Sequence, residues 1–159
     1  MRLKTEELLV RDFREDDLEP LHAIYSDSDV MEYMGGPAGD ISETKDEMEA
    51  SCLGKDPARF AVVQNGTGRL IGEVTFIIHR EDDMKNECEI GWVLAKDCWL
   101  RGYAQQLTAA MTEEAVRRGA SAVFLCCEEG QEIPVHIAEK SGMEYYGLEW
   151  GQLMYRKEL

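Results

Sequence analysis

A short glycine-containing stretch at residues 99–107, W-L-R-G-Y-A-Q-Q-L, is the first candidate for chemistry in this sequence. Apolar residues give way to Arg101 and Gly102, and a helical pattern begins at Tyr103. The first amides of a helix have no internal partner and lie at the positive end of its dipole, so such a position favours phosphate. Gly102 would let a ligand approach the backbone, and Ala104 has only a small side chain at the next position of the motif. The stretch indicates either a phosphate site or an ordinary chain reversal.

The size and composition of the chain limit the kind of protein in which such a site could lie. With 159 residues, 44% hydrophobic and 31% charged, the sequence predicts a single soluble domain over residues 1–159. No apolar run approaches the roughly 18 residues of a membrane span, and the N-terminus lacks the pattern of a signal peptide. Five cysteines without metal-ligand spacing are expected to be reduced and mostly buried, with no metal site. We therefore expect a cytoplasmic protein.

The charge is strongly acidic and unevenly distributed. The net charge is −15, and residues 1–50 hold 15 acidic but only 5 basic side chains. Nucleic acid is therefore not expected as a partner. The acidic excess is either a solvated surface or an entrance for a cationic substrate.

The elements that must position a site begin with a strand and several helices. A strand is predicted over residues 7–13, and a helix over 14–26 with Pro20 near its first turn. A short helix is predicted to begin at residues 27–29 and to end at residues 35–37, Gly-Gly-Pro. Ser42 is predicted to be the N-cap of a helix over 43–53.

From residue 59 onward the pattern changes to alternating strands and helices. Strands are predicted over 59–64, 70–79, 87–94, 122–127, 143–147 and 152–157, with a polar loop at 80–86. Helices are predicted over 103–118 and 134–141. The order β-α-α-β-β-β-α-β-α-β-β predicts an α/β (α+β) fold, in which about four helices flank a mixed sheet of about six to seven strands.

Three motifs in this order resemble the GNAT superfamily of N-acetyltransferases. They are E-I-G-W-V-L-A at 89–95, W-L-R-G-Y-A at 99–104 and E-K-S-G-M at 139–143. The N-terminal stretches L-L-V-R-D-F-R-E-D-D-L and S-D-S-D-V-M-E-Y-M-G-G also resemble the branch that contains the ribosomal-protein alanine N-acetyltransferases. The resemblance implies transfer of an acetyl group from acetyl-CoA to a primary amine, by direct attack on the thioester and without a metal.

The resemblance also implies which residues bind the coenzyme. The family's phosphate loop is Gln/Arg-x-x-Gly-x-Gly/Ala, and here Trp99 departs from it while Gly102 and Ala104 match. The backbone from Arg101 to Gln105 is then expected to hold the pyrophosphate. The end of the strand over 87–94, at Trp92, Val93 and Leu94, is expected to splay from its neighbouring strand. Its backbone groups would then pair with the pantetheine arm. The implied coenzyme-binding residues are Trp92, Val93, Leu94, Arg101, Gly102, Tyr103, Ala104, Gln105 and Gln131.

A carboxylate must take a proton from the attacking amine, because amines of this kind are protonated at neutral pH. The resemblance places Glu89 in that role, with the Val93 amide facing the oxyanion. Glu87 lies on the same strand face, and Glu73 is expected on an adjacent strand. Alternatively, Glu89 only forms structural hydrogen bonds.

The sequence departs from the family where a general acid for the leaving thiolate is usual. The family's Asn, Ser and Tyr positions are held by Gln131, Pro134 and Ala138. Four side chains could substitute, although each is more readily structural: Tyr145, Tyr146, His136 and Cys126. The other histidines, His22 and His79, carry no predicted role, and the methionines and tryptophans are expected mostly in the core.

Two functional alternatives therefore remain. One is an acetyltransferase acting on a cationic amine, such as a peptide N-terminus, a polyamine or an aminoglycoside. The other is a GNAT fold that binds acyl-CoA without transferring it. The sequence is compatible with a monomer or a homodimer.

Overall fold

The computed structural model describes residues 1–53, 57–80 and 86–159. Its α-helices are α1 (Leu18–Tyr25), α2 (Ile41–Ser51), α3 (Tyr103–Arg117) and α4 (Glu132–Lys140). Single turns of 3-10 helix cover Glu15–Asp17 and Lys96–Cys98. The strands are β1 (Leu3–Lys4), β2 (Leu8–Arg11), β3 (Arg59–Gln64), β4 (Leu70–His79), β5 (Glu87–Leu94), β6 (Ala122–Cys127), β7 (Glu144–Glu149) and β8 (Gln152–Glu158).

The described strands follow the hydrogen-bonded order β1-β2-β3-β4-β5-β6-β8-β7. Neighbours from β1 to β4 are antiparallel, β5 and β6 are parallel, and β6, β8 and β7 are again antiparallel. The predicted α/β fold with four helices and a mixed sheet is confirmed. The sheet has eight strands rather than six to seven, because the two-residue strand β1 pairs with β2 through Leu3 and Val10.

The chain groups into two compact units. The first unit comprises Met1–Thr75 and Trp92–Tyr103, and the second comprises Phe76–Gly91 and Ala104–Leu159. Strands β4 and β5 each contribute residues to both units. In the first unit, Leu21 and Ile24 of α1 are buried together with Val62 of β3 and Val74 of β4. In the second, the inner face of α3 is buried at Leu107, Met111 and Ala115, as the helical spacing predicts.

Four strands have the bounds predicted from the sequence, namely β3, β4, β5 and β6. Their apolar residues are mostly buried, so local pattern and tertiary burial agree there. Helix α3 ends one residue earlier than predicted. Helix α4 begins two residues earlier, at Glu132, which leaves Pro134 in the first turn where its missing amide costs nothing. The predicted loop at 80–86 lies mostly outside the described residues.

Two predictions in the N-terminal part are wrong. Residues 27–36 form successive turns, not a helix: the Asp27 carboxylate accepts from the Asp29 amide at 2.9 Å, and the Met31 carbonyl accepts from both Met34 and Gly36. An aspartate that binds its own downstream backbone favours a turn over a continuing helix. The N-cap of α2 is Asp40 and not Ser42, because Asp40 accepts from the amides of Ser42 and Glu43.

The five cysteines are all free, and four of them are buried, in agreement with the expectation of mostly buried, reduced thiols. Among the residues that the structure describes, no helix is long and apolar enough to cross a membrane. The described residues also contain no group of three histidine, cysteine, aspartate or glutamate side chains arranged to hold a metal ion. The tryptophans are less buried than expected, since Trp99 and Trp150 are both exposed.

Candidate active site

The segment that precedes α3 presents a set of backbone amides without partners. Leu100 and Gly102 have positive φ angles of 59° and 78°, and the Leu100 side chain is 92% exposed. The Trp99 indole donates to the Leu94 carbonyl at 2.8 Å and ties the segment to the end of β5. Within the described part of the chain, the amides of residues 101–105 make no backbone hydrogen bond. Such amides at the start of a 15-residue helix form a site suited to an anion.

Space is left open at the glycine of this segment. A Cβ atom added to Gly102 would meet no protein atom within 4 Å. Arg101 is exposed, whereas the Tyr103 side chain is buried, with its hydroxyl accepting from the Gln64 side-chain amide at 3.3 Å. Ala104 and Gln105 form the first turn of α3 and are half-buried. The segment can therefore offer its backbone and the Arg101 side chain to a ligand, but not the Tyr103 hydroxyl.

The end of β5 lies unusually close to β4. A Cβ atom on Gly72 would sit 2.1 Å from the Val93 carbonyl oxygen and 3.0 Å from the Leu94 Cα. The Ala95 amide donates to the Ile71 carbonyl at 2.8 Å just beyond this point. Only glycine permits that approach, so Gly72 fixes where the predicted coenzyme-binding residues of β5 lie. Sequence reasoning missed Gly72, although an isolated glycine inside a strand pattern is a known sign of close backbone approach.

In the second unit, the paired part of β5 and β6 is short. The parallel register joins Glu87, Cys88 and Glu89 to Ala122, Val123 and Phe124. Strand β5 continues to Leu94 and β6 continues to Cys127, beyond the last paired residues. Backbone groups near the end of a pairing are available to an added extended ligand.

Glu89 lies on β5 at the last residue of this pairing. Its side chain is 34% exposed, and its Oε2 is 3.1 Å from Nε2 of His79 on β4. The ring of His79 packs against that of Phe124, with centroids 5.7 Å apart, and the ring of Trp150 lies 6.4 Å from Phe124 on centroids. Glu89 is thus partly accessible to solvent and hydrogen-bonded to His79, a residue to which the sequence analysis assigns no role.

The two other carboxylates predicted near Glu89 are both engaged in ion pairs. Glu87 binds Arg156 through two hydrogen bonds of 3.0 and 2.8 Å. Glu73 does lie on the adjacent strand β4, but it is only 2% exposed and is 3.5 Å from Arg59 in the first unit. Burial raises the pKa of Glu73 although the Arg59 guanidinium opposes this shift. Of the three carboxylates, Glu89 has the most exposed side chain, at 34% against 17% for Glu87 and 2% for Glu73.

Of the candidates for a general acid, Tyr145 and Tyr146 make ring contacts, Cys126 is partly buried and His136 is exposed. Burial, with Glu89 as the second cause, raises the pKa of the Cys126 thiol to about 12, which makes it a weak acid. Tyr145 packs edge-on against Tyr155 at 5.8 Å, and the Arg156 guanidinium lies 5.3 Å from the ring centre of Tyr146. His136 is exposed on α4.

The three substituted family positions lie in or beside α4. Gln131 is the N-cap residue of this helix, and its Oε1 accepts from the Glu128 amide at 2.7 Å. Pro134 lies in the first turn and Ala138 is fully buried. The Gln131 side chain therefore closes a local turn, and the position of Ala138 has no room for a tyrosine ring without repacking.

Many of the N-terminal acidic residues are already paired. Asp29 binds Lys96, Glu47 binds Arg59 at 2.8 Å, and Glu49 lies 3.7 Å from Lys45. Glu43 accepts from the Gly39 amide at 2.8 Å. Lys96 and Arg59 lie outside residues 1–50, so their pairing with Asp29 and Glu47 offsets part of the negative charge counted there. Glu32 and Asp46 have no ion pair among the described residues.

A cleft of about 930 Å³ in the first unit contains none of the predicted site residues. It is lined by four cations, Arg11, Arg14, Arg69 and Lys96, and by four aspartates. Arg11 and Arg69 each bind an aspartate of the same lining, Asp17 and Asp97. The lining is therefore balanced in charge.

Comparison with known proteins identifies the family. The model of the acetyltransferase (GNAT) domain matches residues 7–144, and the chain belongs to this family. An uncharacterized N-acetyltransferase of Bacillus subtilis, YnaD, is 26% identical over 149 residues, which cover 92% of this chain and 85% of that protein. The chain is an N-acetyltransferase, as the sequence motifs predict.

Solved structures share the fold. An acetyltransferase of the GNAT family from Bacillus anthracis has a TM-score of 0.85 at 24% identity, covering 99% of this chain and 98% of that one. A ribosomal-protein-alanine N-acetyltransferase from Brucella melitensis has a TM-score of 0.69 at 20% identity, with coverage of 94% and 99%. The predicted branch is thus one structural neighbour among several, and the likeness does not single it out.

Proposed function

We propose that the protein transfers the acetyl group of acetyl-CoA to the primary amine of a cationic acceptor, with Glu89 as the general base. The observation that carries this proposal is the combination of unpartnered amides at residues 101–105 with a solvent-accessible carboxylate on the strand that leads to them. Both features belong to motifs that match the family.

The residues before and within α3 fit the pyrophosphate of the coenzyme. The five amides of residues 101–105, which have no backbone partner among the described residues, can donate to phosphate oxygens, and the open space at Gly102 admits the phosphate against the backbone. The strained Leu100 conformation costs about 1 kcal/mol or more, and strain of this kind is concentrated at ligand sites. Gln131 is expected to contribute less than the sequence suggests, because its side chain closes a local turn.

The pantetheine arm would follow the end of β5. The parallel pairing of β5 with β6 ends at Glu89 within the second unit, and the splay beyond it is what the family resemblance implies. The Leu94 carbonyl already accepts the Trp99 indole N–H, so we assign the pairing to the backbone groups of Trp92 and Val93. The Val93 amide is the proposed donor to the oxyanion.

The chemistry balances without a dedicated acid. Glu89 takes one proton from the acceptor ammonium, and the free amine attacks the thioester carbonyl carbon. The C–S bond then breaks, the coenzyme leaves as a thiolate, and the second proton of the nitrogen ends on that sulfur. A thiol has a pKa near 8.5, so the thiolate is a tolerable leaving group at neutral pH.

The acidic charge of the chain favours a cationic acceptor. The chain carries a net charge of −15, with an excess of ten acidic side chains in residues 1–50. A surface of one sign raises the local concentration of the opposite charge and speeds its capture. Pairing with Lys96 and Arg59, which lie outside residues 1–50, reduces this negative charge but leaves Glu32 and Asp46 without an ion pair among the described residues.

The test is release of free thiol from acetyl-CoA in the presence of a panel of amines, with the acetylated product identified by mass spectrometry. We expect release that depends on both the protein and the amine. The variant Glu89→Gln keeps the size of the side chain and cannot take the proton, so its rate should fall about 100-fold with acetyl-CoA affinity retained.

Two outcomes would count against this proposal. Tight binding of acetyl-CoA without acetylation of any amine would favour the alternative of a non-catalytic acyl-CoA-binding protein. An unchanged chemical rate in Glu89→Gln would remove Glu89 from the mechanism. Glu87→Gln is the matched control on the same strand, and it should affect stability through Arg156 more than rate.

A further inference from the structure

The contact between His79 and Glu89 leaves the two carboxylate oxygens unequal. Oε2 is 3.1 Å from Nε2 of His79, and Oε1 has no hydrogen-bond partner among the described residues. His79 is the last residue of β4, and its side chain is 23% exposed. The imidazole therefore contacts one carboxylate oxygen, Oε2, and leaves the other, Oε1, available to a ligand.

A carboxylate on a flexible side chain must be held in place to act as a base, because proton transfer requires hydrogen-bond distance to the reacting group. A donor on one oxygen fixes the plane of the carboxylate and directs the other oxygen toward the ligand. In the second unit, His79 is the one described residue that has a hydrogen bond with the Glu89 carboxylate.

We propose that His79 is a positioning residue, which donates from Nε2 to Oε2 of Glu89 and leaves Oε1 to take the proton of the acceptor amine. This inference rests on the proposed role of Glu89 as general base. The His79 ring does not itself exchange a proton with the amine.

The ring of His79 also packs on Phe124, so a plain truncation would mix two effects. Two substitutions separate them. His79→Phe keeps an aromatic ring against Phe124 and removes both nitrogens. His79→Gln removes the ring and keeps an N–H donor at about the same reach. His22→Phe, in α1 of the first unit, is the control for a histidine with no proposed role.

The rate is measured at saturating acetyl-CoA and acceptor in the parent protein and in the Glu89→Gln background. A hydrogen bond to a charged group supports a loss of about tenfold in His79→Phe, and most of the rate should survive in His79→Gln. In the Glu89→Gln background, His79→Phe should cause no further loss, because its effect passes through Glu89. The unfolding midpoint and the acetyl-CoA affinity should stay at their parental values.

Three kinetic results would overturn the inference while leaving the proposed function intact. They are a parental rate in His79→Phe, an equal loss in both backgrounds, and a loss in His79→Gln as large as in His79→Phe. The last would assign the effect to ring packing.

A measurement without turnover tests the same contact. Long-range nitrogen-15 spectra of the three histidines report which ring nitrogen carries the proton, with His79 assigned from the variant. We expect the Nε2–H form in the parent protein and a changed spectrum in Glu89→Gln. The Nδ1–H form, or an unchanged spectrum, would contradict the inference whether or not an acceptor has been found.

Discussion

Gly72→Ala tests whether the close approach of β4 and β5 is needed to position the proposed coenzyme-binding residues at the end of β5. The new Cβ would lie 2.1 Å from the Val93 carbonyl oxygen, whereas ordinary contacts of this kind begin near 3.4 Å. The end of β5 must therefore move by more than 1 Å. Overpacking of this kind costs about 1–3 kcal/mol in the free energy of unfolding. A displacement of about 1 Å at reacting groups lowers a rate by about 100-fold.

The assay for Gly72→Ala combines denaturant unfolding with the rate at saturating acetyl-CoA. Gly39→Ala is the matched control, because its Cβ would meet only the exposed side chain of Glu43, at 3.0 Å. We expect that control to change stability by less than about 0.5 kcal/mol and to leave the rate unchanged. If Gly72→Ala is as stable and as active as the parent, the approach is not required. If it is destabilised but fully active, the end of β5 does not position the reaction.

The remaining predictions concern pH and salt. Glu73 holds its proton to a higher pH in the folded chain than its ordinary pKa allows, so its contribution to stability falls as pH rises above about 4.5. Glu73→Gln should therefore lose less stability than the parent between pH 5 and pH 8, with Arg59 still bound to Glu47; an identical pH dependence of the unfolding midpoint would contradict this. A polycationic amine should exceed a neutral amine in kcat/KM at low salt and lose that advantage at 1 M salt, where the Debye length falls to about 3 Å. An advantage that salt leaves untouched would reduce the acidic surface to a role in solubility.

The elements that the sequence predicts well are those whose local pattern agrees with their burial. Strand β4 is a mostly apolar run that follows a hairpin turn, and the first residues of β5 alternate between polar and buried side chains, so the limits of both are readable from the chain. Residues 27–36 failed because Asp27 binds its own downstream amides, and side-chain capping of this kind competes with a helix without changing the hydrophobic pattern. The prediction of Ser42 instead of Asp40 as the N-cap of α2 is wrong for the same reason, because the hydrophobic pattern does not show which side chain accepts from the first amides of the helix.

The motifs predicted the loop before α3 and Glu89, but not the residues around them. The approach of Gly72 to Val93 and the contact of His79 with Glu89 depend on how β4 lies beside β5. That register is a tertiary property: His79 does not stand out in its own segment, and Gly72 stands out only as an isolated glycine inside a strand. Trp150, 68% exposed with a φ of 51°, was likewise expected in the core because tryptophan is usually buried.

Calorimetric titration of acetyl-CoA into Gly102→Val tests the central claim most directly, with Gly119→Val as the control. The two glycines flank α3, have φ angles of 78° and 77°, and have no atom within 4 Å of an added Cβ. Both variants therefore carry the same backbone strain in open space, and only Gly102 lies at the proposed phosphate site. The valine side chain in Gly102→Val would occupy the space proposed for the phosphate and keep it from the backbone. If one hydrogen bond to the charged phosphate is lost, binding should be about 10- to 100-fold weaker. Gly119→Val should bind like the parent. Equal affinity in all three proteins would contradict the proposal that residues 101–105 hold the coenzyme.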